Sequence, residues 1–276
     1  MTILDMKRRL VTLASGLQLE YAERGSGPTV LFIHGYPDSW RAYEPVMRIL
    51  PADVRAVAFS LRGFGDSGRP ESGYAMADFA ADAAAFMDAV GIAKATVVGH
   101  SMGTLVAQEL ALSYPERVAS LALIGSAASF DNPVVRELER AVDALSDPIP
   151  REFIHAFQTS TVHRPVPEAF MDTLVNESMK VRMNVWRDAL AGILAFRSAD
   201  RLARLTVPTL IVGGDMDEIA PIAGQEQIHR AIRGSKFLYY EHSGHSPHWE
   251  QPQRFADDLL AFLHTAQTKP AAQGGQ

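Results

Sequence analysis

The chain has 276 residues, 47% of them apolar and 21% charged, with a formal net charge of -6 and no cysteine. This is ordinary globular composition, and the length suits one large core or a core with an inserted subdomain. The negative charge argues against a nucleic-acid or anionic-membrane partner, and the lack of cysteine excludes disulfides, thiolate metal sites and a cysteine nucleophile.

The first stretch, MTILDMKRRLVTLASGLQLEY, has a basic cluster, but Thr12, Ser15 and Gln18 interrupt its apolar run. A secretory signal needs a longer unbroken stretch, no segment approaches a membrane span, and the expectation is a cytoplasmic protein. Continuous apolar runs at 29–35, 54–60 and 95–101 predict buried strands. Helical periodicity lies between them, at 38–50 and at 76–92, where Phe79, Ala83, Phe86 and Val90 share one face. A helix follows Ser101 to about Tyr114, where Pro115 stops it, and 118–125 is again a strand. Such alternation predicts an α/β fold: a mostly parallel central sheet with helices on both faces.

From Phe130 the pattern becomes helical. Asp131 or Asn132 caps a helix that has Pro133 in its first turn, and amphipathic segments broken at Pro165 and Pro167 run to about Arg197. Strands return at 207–215 and 235–241, and a last helix covers 252–264. The expected organisation is a core (1–129), a helical insertion (130–199), the rest of the core (200–264) and a polar tail (265–276) read as disordered. There are no internal repeats.

The stretch VVGHSMGTLVAQELA (97–111) holds the main chemical signal. Gly99-His100-Ser101-Met102-Gly103 fits G-x-S-x-G at a strand-to-helix junction, where a tight turn lifts a serine hydroxyl clear of the sheet. The helix N-terminus behind it favours developing negative charge. A serine nucleophile needs a base, and the base an orienting carboxylate. Asp215, Asp217 and Glu218 follow the strand at 207–215, and His245 lies between a strand and the final helix.

With HGYPDSW, LRGFGDSGRP, GHSMG, GGDMDEIAP and SGHSPHWEQP in this order, the chain resembles the α/β-hydrolase fold superfamily, in its serine-nucleophile branch with a helical cap. The resemblance runs from about Gly16 to Leu263 and implies a catalytic triad of Ser101, Asp217 and His245. Asp217 stands three residues after Gly214 and four before Pro221, as the family's carboxylate does. Asp215 is then a turn residue and Glu218 a solvated neighbour. The His34-Gly35 pair resembles the family's oxyanion loop, implying that the backbone N–H groups of Tyr36 and Met102 hold the oxyanion. Thr104 departs from the second glycine of many relatives and is read as affecting local packing only.

HGYP and the cap also resemble epoxide hydrolases and haloalkane dehalogenases, whose nucleophile is an aspartate. A serine attacking the same carbon would form a stable ether, so the resemblance leaves acyl transfer to esters or lactones as the leading reading. Carbon–carbon bond hydrolases share the triad but commonly carry Asn at the position of His100. Cofactor-free perhydrolysis on the same site and a slow-turnover ligand sensor are further alternatives. The expected ligands are a small to medium apolar ester and water, with no cofactor or metal, no nucleic acid and no membrane. Oligomeric state is not readable.

Other signals are weaker. Gly63-Phe64-Gly65-Asp66-Ser67-Gly68 matches G-x-G-x-x-G, but Pro70 and Gly73 follow where a dinucleotide site needs a helix N-terminus. His242, His245 and His248 are not spaced to converge on a metal. His34 and His100 are read as supports for the loops they sit in. Asp38 and Trp40 are read as bordering the pocket, or else as a helix cap and a core aromatic. Among the aromatic and methionine residues of the insertion, Trp186 and Phe130 are chosen as pocket walls, Trp186 first.

Overall fold

The apolar runs of the sequence are buried on both sides, and alternate residues go to opposite faces of one sheet. In β3 (Thr29–Ile33), Leu31 and Ile33 enter one apolar cluster while Val30 and Phe32 enter another. This period of two, with both faces covered, is why these segments read as continuous rather than alternating hydrophobic stretches. The computed structural model describes residues 6–268. Its strands form an eight-stranded sheet in the order β1-β2-β4-β3-β5-β6-β7-β8. The strands are β1 (Lys7–Thr12), β2 (Gln18–Arg24), β3, β4 (Arg55–Phe59), β5 (Ala95–His100), β6 (Val118–Ile124), β7 (Thr209–Gly214) and β8 (Lys236–Tyr240). From β4 to β8 all neighbours pair in parallel, and β1 and β2 add an antiparallel edge.

Two helices, α2 (Met76–Ala89) and α3 (Met102–Ser113), cover the first face through Phe79, Phe86 and Leu105. Phe86 stacks on Phe59 of β4 with ring centroids 4.5 Å apart. The short α1 (Glu44–Ile49) and the last helix, α10 (Pro252–Thr268), cover the second face through Val46, Met47, Phe255 and Leu259. Between β6 and β7 the chain makes four helices with no strand: α4 (Pro133–Asp143), α5 (Arg151–Ser160), α6 (Glu168–Ser178) and α7 (Met183–Ala195). Asn132 is the cap of α4, its side chain accepting from the Val135 N–H at 3.0 Å. Two more helices follow, α8 (Ile222–Ala231) after β7 and the single turn α9 (Pro247–Glu250) after β8.

The structure departs from the sequence reading in places. The span 38–50 is not one helix: Ser39 caps a turn at Trp40–Tyr43, and α1 starts only at Glu44. β1 and β2 carried no recognised strand signal; β1 is an exposed edge rich in Lys and Arg, the pattern that protects a sheet edge from further pairing. α10 continues through residues 265–268 of the expected tail, and 269–276 lie outside the described residues. Among the described residues no helix is long and apolar enough to cross a membrane.

β3 is followed in the chain by β4 on one side and by β5 on the other. The carboxyl ends of β3 and β5 therefore flank the point where strand order reverses, the place where open α/β sheets form a crevice. The backbones are crowded there. A side-chain carbon on Gly99 would lie 2.3 Å from the Gly103 carbonyl oxygen, and one on Gly103 would lie 2.2 Å from that of Ile33. No rotamer change relieves a clash with backbone. Gly103→Ala is therefore expected to cost about 3 kcal/mol or more in stability, as overpacking against a fixed neighbour does. Gly224→Ala on α8, where nothing lies within 4 Å, should be neutral or stabilise by about 0.5 kcal/mol. Urea titration of both variants checks this, and similar losses in the two would contradict it.

Candidate active site

Ser101 sits between β5 and α3 with φ 52° and ψ -120°, a left-handed conformation that costs a non-glycine residue about 1–3 kcal/mol. The surroundings fix it. Its N–H donates to the Ile124 carbonyl at 3.0 Å, and its carbonyl accepts from the Thr104 N–H at 2.8 Å and the Thr104 hydroxyl at 2.7 Å. Thr104 thus does more than fill local space: it clamps the elbow. The side chain of Ser101 faces a cavity, at the N-terminus of the twelve-residue α3.

His245 follows β8 and is 3% exposed. Its Nδ1 lies 2.9 Å from Asp217 Oδ2, so Nδ1 carries the proton and donates it to the carboxylate. Nε2 is buried without a hydrogen-bond partner, the state of a nitrogen left as an acceptor. Asp217, after β7, is held in turn: Oδ1 accepts the N–H groups of Ile219 at 2.9 Å and Ala220 at 2.8 Å, and Oδ2 lies 3.4 Å from Gln225 Nε2. Asp215 and Glu218 are exposed, and Asp215 accepts the Ser243 N–H at 3.1 Å. Glycines bring the loops together. A carbon on Gly214 would lie 2.1 Å from the Gly244 carbonyl, and one on Gly125 2.8 Å from the carbonyl of His245.

The loop after β3 closes the other side. His34 accepts the Leu61 N–H at Nε2 (2.9 Å) and donates from Nδ1 to the Gly35 carbonyl (2.7 Å). Burial lowers its pKa to about 4, so the ring stays neutral and holds this geometry. The N–H groups of Tyr36 and Met102 donate to no group among the described residues. The Tyr36 hydroxyl donates to the carbonyl of Trp186 at 2.9 Å, tying the loop to α7. Behind His245, His100 offers Nε2–H to the His245 carbonyl at 3.1 Å, and burial holds the rings of His100 and His248 well below their ordinary pKa.

The cavity has a volume of about 410 Å³ and is reached by Ser101 and His245. Its lining includes the apolar Phe130, Val135, Leu138, Leu190, Ile193 and Ile219 and the exposed carboxylate of Glu137. It also includes the polar Asp38, Gln158, Ser160 and Thr161, with Tyr36, Phe157 and Trp249. Phe130 presents its edge to the His245 ring, with centroids 6.2 Å apart.

A family model for the alpha/beta hydrolase fold matches residues 28–252. The chain belongs to this family. A non-heme haloperoxidase of Rhodococcus erythropolis is 28% identical over 282 residues, covering 92% of this chain and 99% of that one. The bifunctional epoxide hydrolase 2 of Rattus norvegicus is 31% identical over 138 residues, which cover 49% of this chain and 25% of that protein. Among solved structures, an esterase from a Rhodococcus species matches with a TM-score of 0.83 at 26% identity, over 95% of this chain and 100% of that one.

Of the residues singled out in this alpha/beta hydrolase, Ser101, His245, Phe130 and Tyr36 meet at the cavity, and Asp217 stands behind His245. Trp186 does not line it. The indole is fully buried behind Tyr36 and Phe157, with ring centroids 5.1 and 6.3 Å away, and belongs to the packing of α7. Trp40 is likewise core. The G-x-G-x-x-G stretch is a loop pinned by Glu20, whose Oε2 accepts the Asp66 N–H at 2.9 Å, and no helix opens there. Among the described residues no group of three His, Asp or Glu could hold a metal ion. Gln158 and Trp249 were not foreseen; both line the cavity, one from the insertion and one from α9.

Asp38 borders the cavity and is 1% exposed. Burial raises its pKa from 3.8 to about 7, against an opposing hydrogen bond from Gln158. The folded state therefore binds this proton more tightly than the unfolded chain, and stability falls as pH rises from about 4 to about 7. Asp38→Asn keeps an oxygen for Gln158 and removes the titration. Its melting temperature relative to the native chain should rise between pH 5 and pH 8; thermal melts at both values test this, and a constant difference would contradict it.

Proposed function

We propose that the protein is a serine hydrolase that cleaves carboxylic esters through an acyl-enzyme. The observation that carries this reading is the alignment of His245, Nδ1–H on Asp217 and Nε2 unpartnered, at the same cavity as a serine held in a strained strand-to-helix turn. In the first step Ser101 Oγ attacks the ester carbonyl while His245 Nε2 takes its proton, and Asp217 stabilises the imidazolium. The N–H groups of Tyr36 and Met102 are free donors where the tetrahedral oxyanion would form, and fixed donors of this kind lower the barrier without reorganising. The C–O bond then breaks, and His245 returns the proton to the departing alcohol. Water, deprotonated by His245, attacks the acyl group, releases the acid and restores Ser101.

A cavity of about 410 Å³ is at the small end of ligand sites and favours small to medium esters over long chains. Peroxide in place of water would give a peracid from the same acyl-enzyme, a second reading favoured by the likeness to a haloperoxidase along nearly that protein's whole length. The partial likeness to an epoxide hydrolase carries less, because a serine on an epoxide carbon ends in an ether that water cannot cleave. The helices of the insertion are read as a cap over the site.

Ser101→Ala should lower kcat on p-nitrophenyl acetate by about four orders of magnitude or more without loss of stability. Asp217→Asn should also cost orders of magnitude, whereas Asp215→Asn, exposed and hydrogen-bonded to backbone N–H groups such as that of Ser243, should cost little. Steady-state kinetics of the three variants decides this. Retained activity in Ser101→Ala would remove the nucleophile, and the reverse ranking of the aspartates would move the orienting role to Asp215.

A further inference from the structure

The reaction described above makes no use of Asp38, although a carboxyl group buried beside the nucleophile is costly. Its Oδ1 accepts from Gln158 Nε2 at 2.8 Å. That amide cannot turn over. Its nitrogen also donates to Ser178 Oγ at 3.0 Å, and the Ser178 hydroxyl is itself committed as a donor to the Leu174 carbonyl at 2.8 Å. Oδ2 has no hydrogen-bond partner and no ion pair among the described residues. It borders the same small space at Gly35 as the nucleophile: the position a side-chain carbon of Gly35 would occupy lies 2.9 Å from His100 Nδ1, 3.2 Å from Ser101 Cβ and 3.3 Å from Asp38 Oδ2.

The rest of this wall has the same polarity. The hydroxyl of Ser160 is turned back to the Phe157 carbonyl at 2.7 Å, and that of Thr161 to the Gln158 carbonyl at 2.8 Å. Both N–H bonds of the Gln158 amide are used within the protein, so it has none left for a ligand. With Asp38 ionised, the side chains of Asp38, Gln158, Ser160 and Thr161 have only lone pairs left to offer a ligand. An acceptor-only wall left unpaired is poorly matched by hydrocarbon and well matched by a ligand that brings its own O–H or N–H.

We infer that Asp38, positioned by Gln158, is a specificity residue that selects esters bearing a hydroxyl or amino group on the part seated against it, while the apolar lining takes the hydrocarbon part. The inference rests on the ester-hydrolase reading and replaces a purely apolar substrate with an amphipathic one. A hydrogen bond to a charged acceptor corresponds to about a ten- to hundredfold discrimination between substrates that differ only in the donor.

The test uses esters matched in shape, at pH 8, above the value of about 7 at which Asp38 ionises. Methyl 3-hydroxybutanoate and methyl 3-aminobutanoate are compared with methyl 3-methylbutanoate, and 2-hydroxyethyl butanoate with propyl butanoate. The two sets place the donor on the acyl or the alcohol side, and the first separates hydroxyl from amine. The native protein should favour a donor ester of at least one set by about tenfold or more in kcat/KM, and Asp38→Asn should erase that ratio. A mere loss of folding or of general activity would lower all rates and leave the ratio intact, which would overturn the assignment. So would a native ratio near one in both sets. If the native protein cleaves none of the esters, the hydrolase reading fails. Donor preference is then read from stabilisation of Ser101→Ala against heat by the same compounds, where tighter binding of donor esters upholds the inference and equal binding overturns it.

Discussion

The site depends on one close approach of main chains. The start of α3 presses on the end of β3 so tightly that residue 103 can carry no side chain, and the turn before it leaves none at residue 99. With glycine on both sides, the chain passes from strand to helix in the space of Ser101 alone, which takes the positive φ. The strain is small beside the packing that imposes it: α3 is buried along most of its length, and β5 is buried throughout. Everything that meets Ser101 does so because this contact places the end of β5 beside the loop that follows β3.

The same device recurs on the histidine side, where Gly214 and Gly125 let the ends of β7 and β6 touch the loop of His245. That loop is also tied to the inserted helices. Glu250 accepts the Gly244 N–H at 2.7 Å with one oxygen and the Arg164 N–H at 2.7 Å with the other, and Ser246 N–H donates to the Thr161 carbonyl at 3.1 Å. The insertion therefore sets both the shape of the cavity and the position of His245. Two buried neutral histidines behind the ring add no positive charge near it, so Asp217 is the partner for a proton on His245.

Much of this was legible in the chain because local chemistry demands it. Strands buried on both faces must be continuous apolar runs, and a serine between two glycines at a strand–helix junction has few other uses. The choice of Asp217 over Asp215 came from resemblance, and the structure supplies a physical counterpart: one carboxylate is buried on His245 and the other is exposed on a turn. What was not legible depends on direction or on distant partners. Trp186 and Phe130 are both buried aromatics of the insertion, and only the facing of α7 decides that the first packs behind Tyr36. By residue type Asp38 reads equally as a pocket border or as a helix cap after Pro37. Ser39 takes that role because the carboxyl of Asp38 is drawn inward to Gln158, 120 positions away. β1 escaped notice because an edge strand facing solvent has no apolar run to read.

The central claim is that Ser101 is the residue that becomes covalently bound to the substrate. The most direct measurement is intact-protein and peptide mass spectrometry after exposure to an activated phosphonate ester, whose phosphorus a serine nucleophile attacks with loss of the activated alcohol, leaving a phosphonyl-serine that water does not release. A single adduct on the peptide containing Ser101, formed in step with loss of esterase activity, is the predicted result. Labelling at another residue, or full inactivation with Ser101 unmodified, would contradict it.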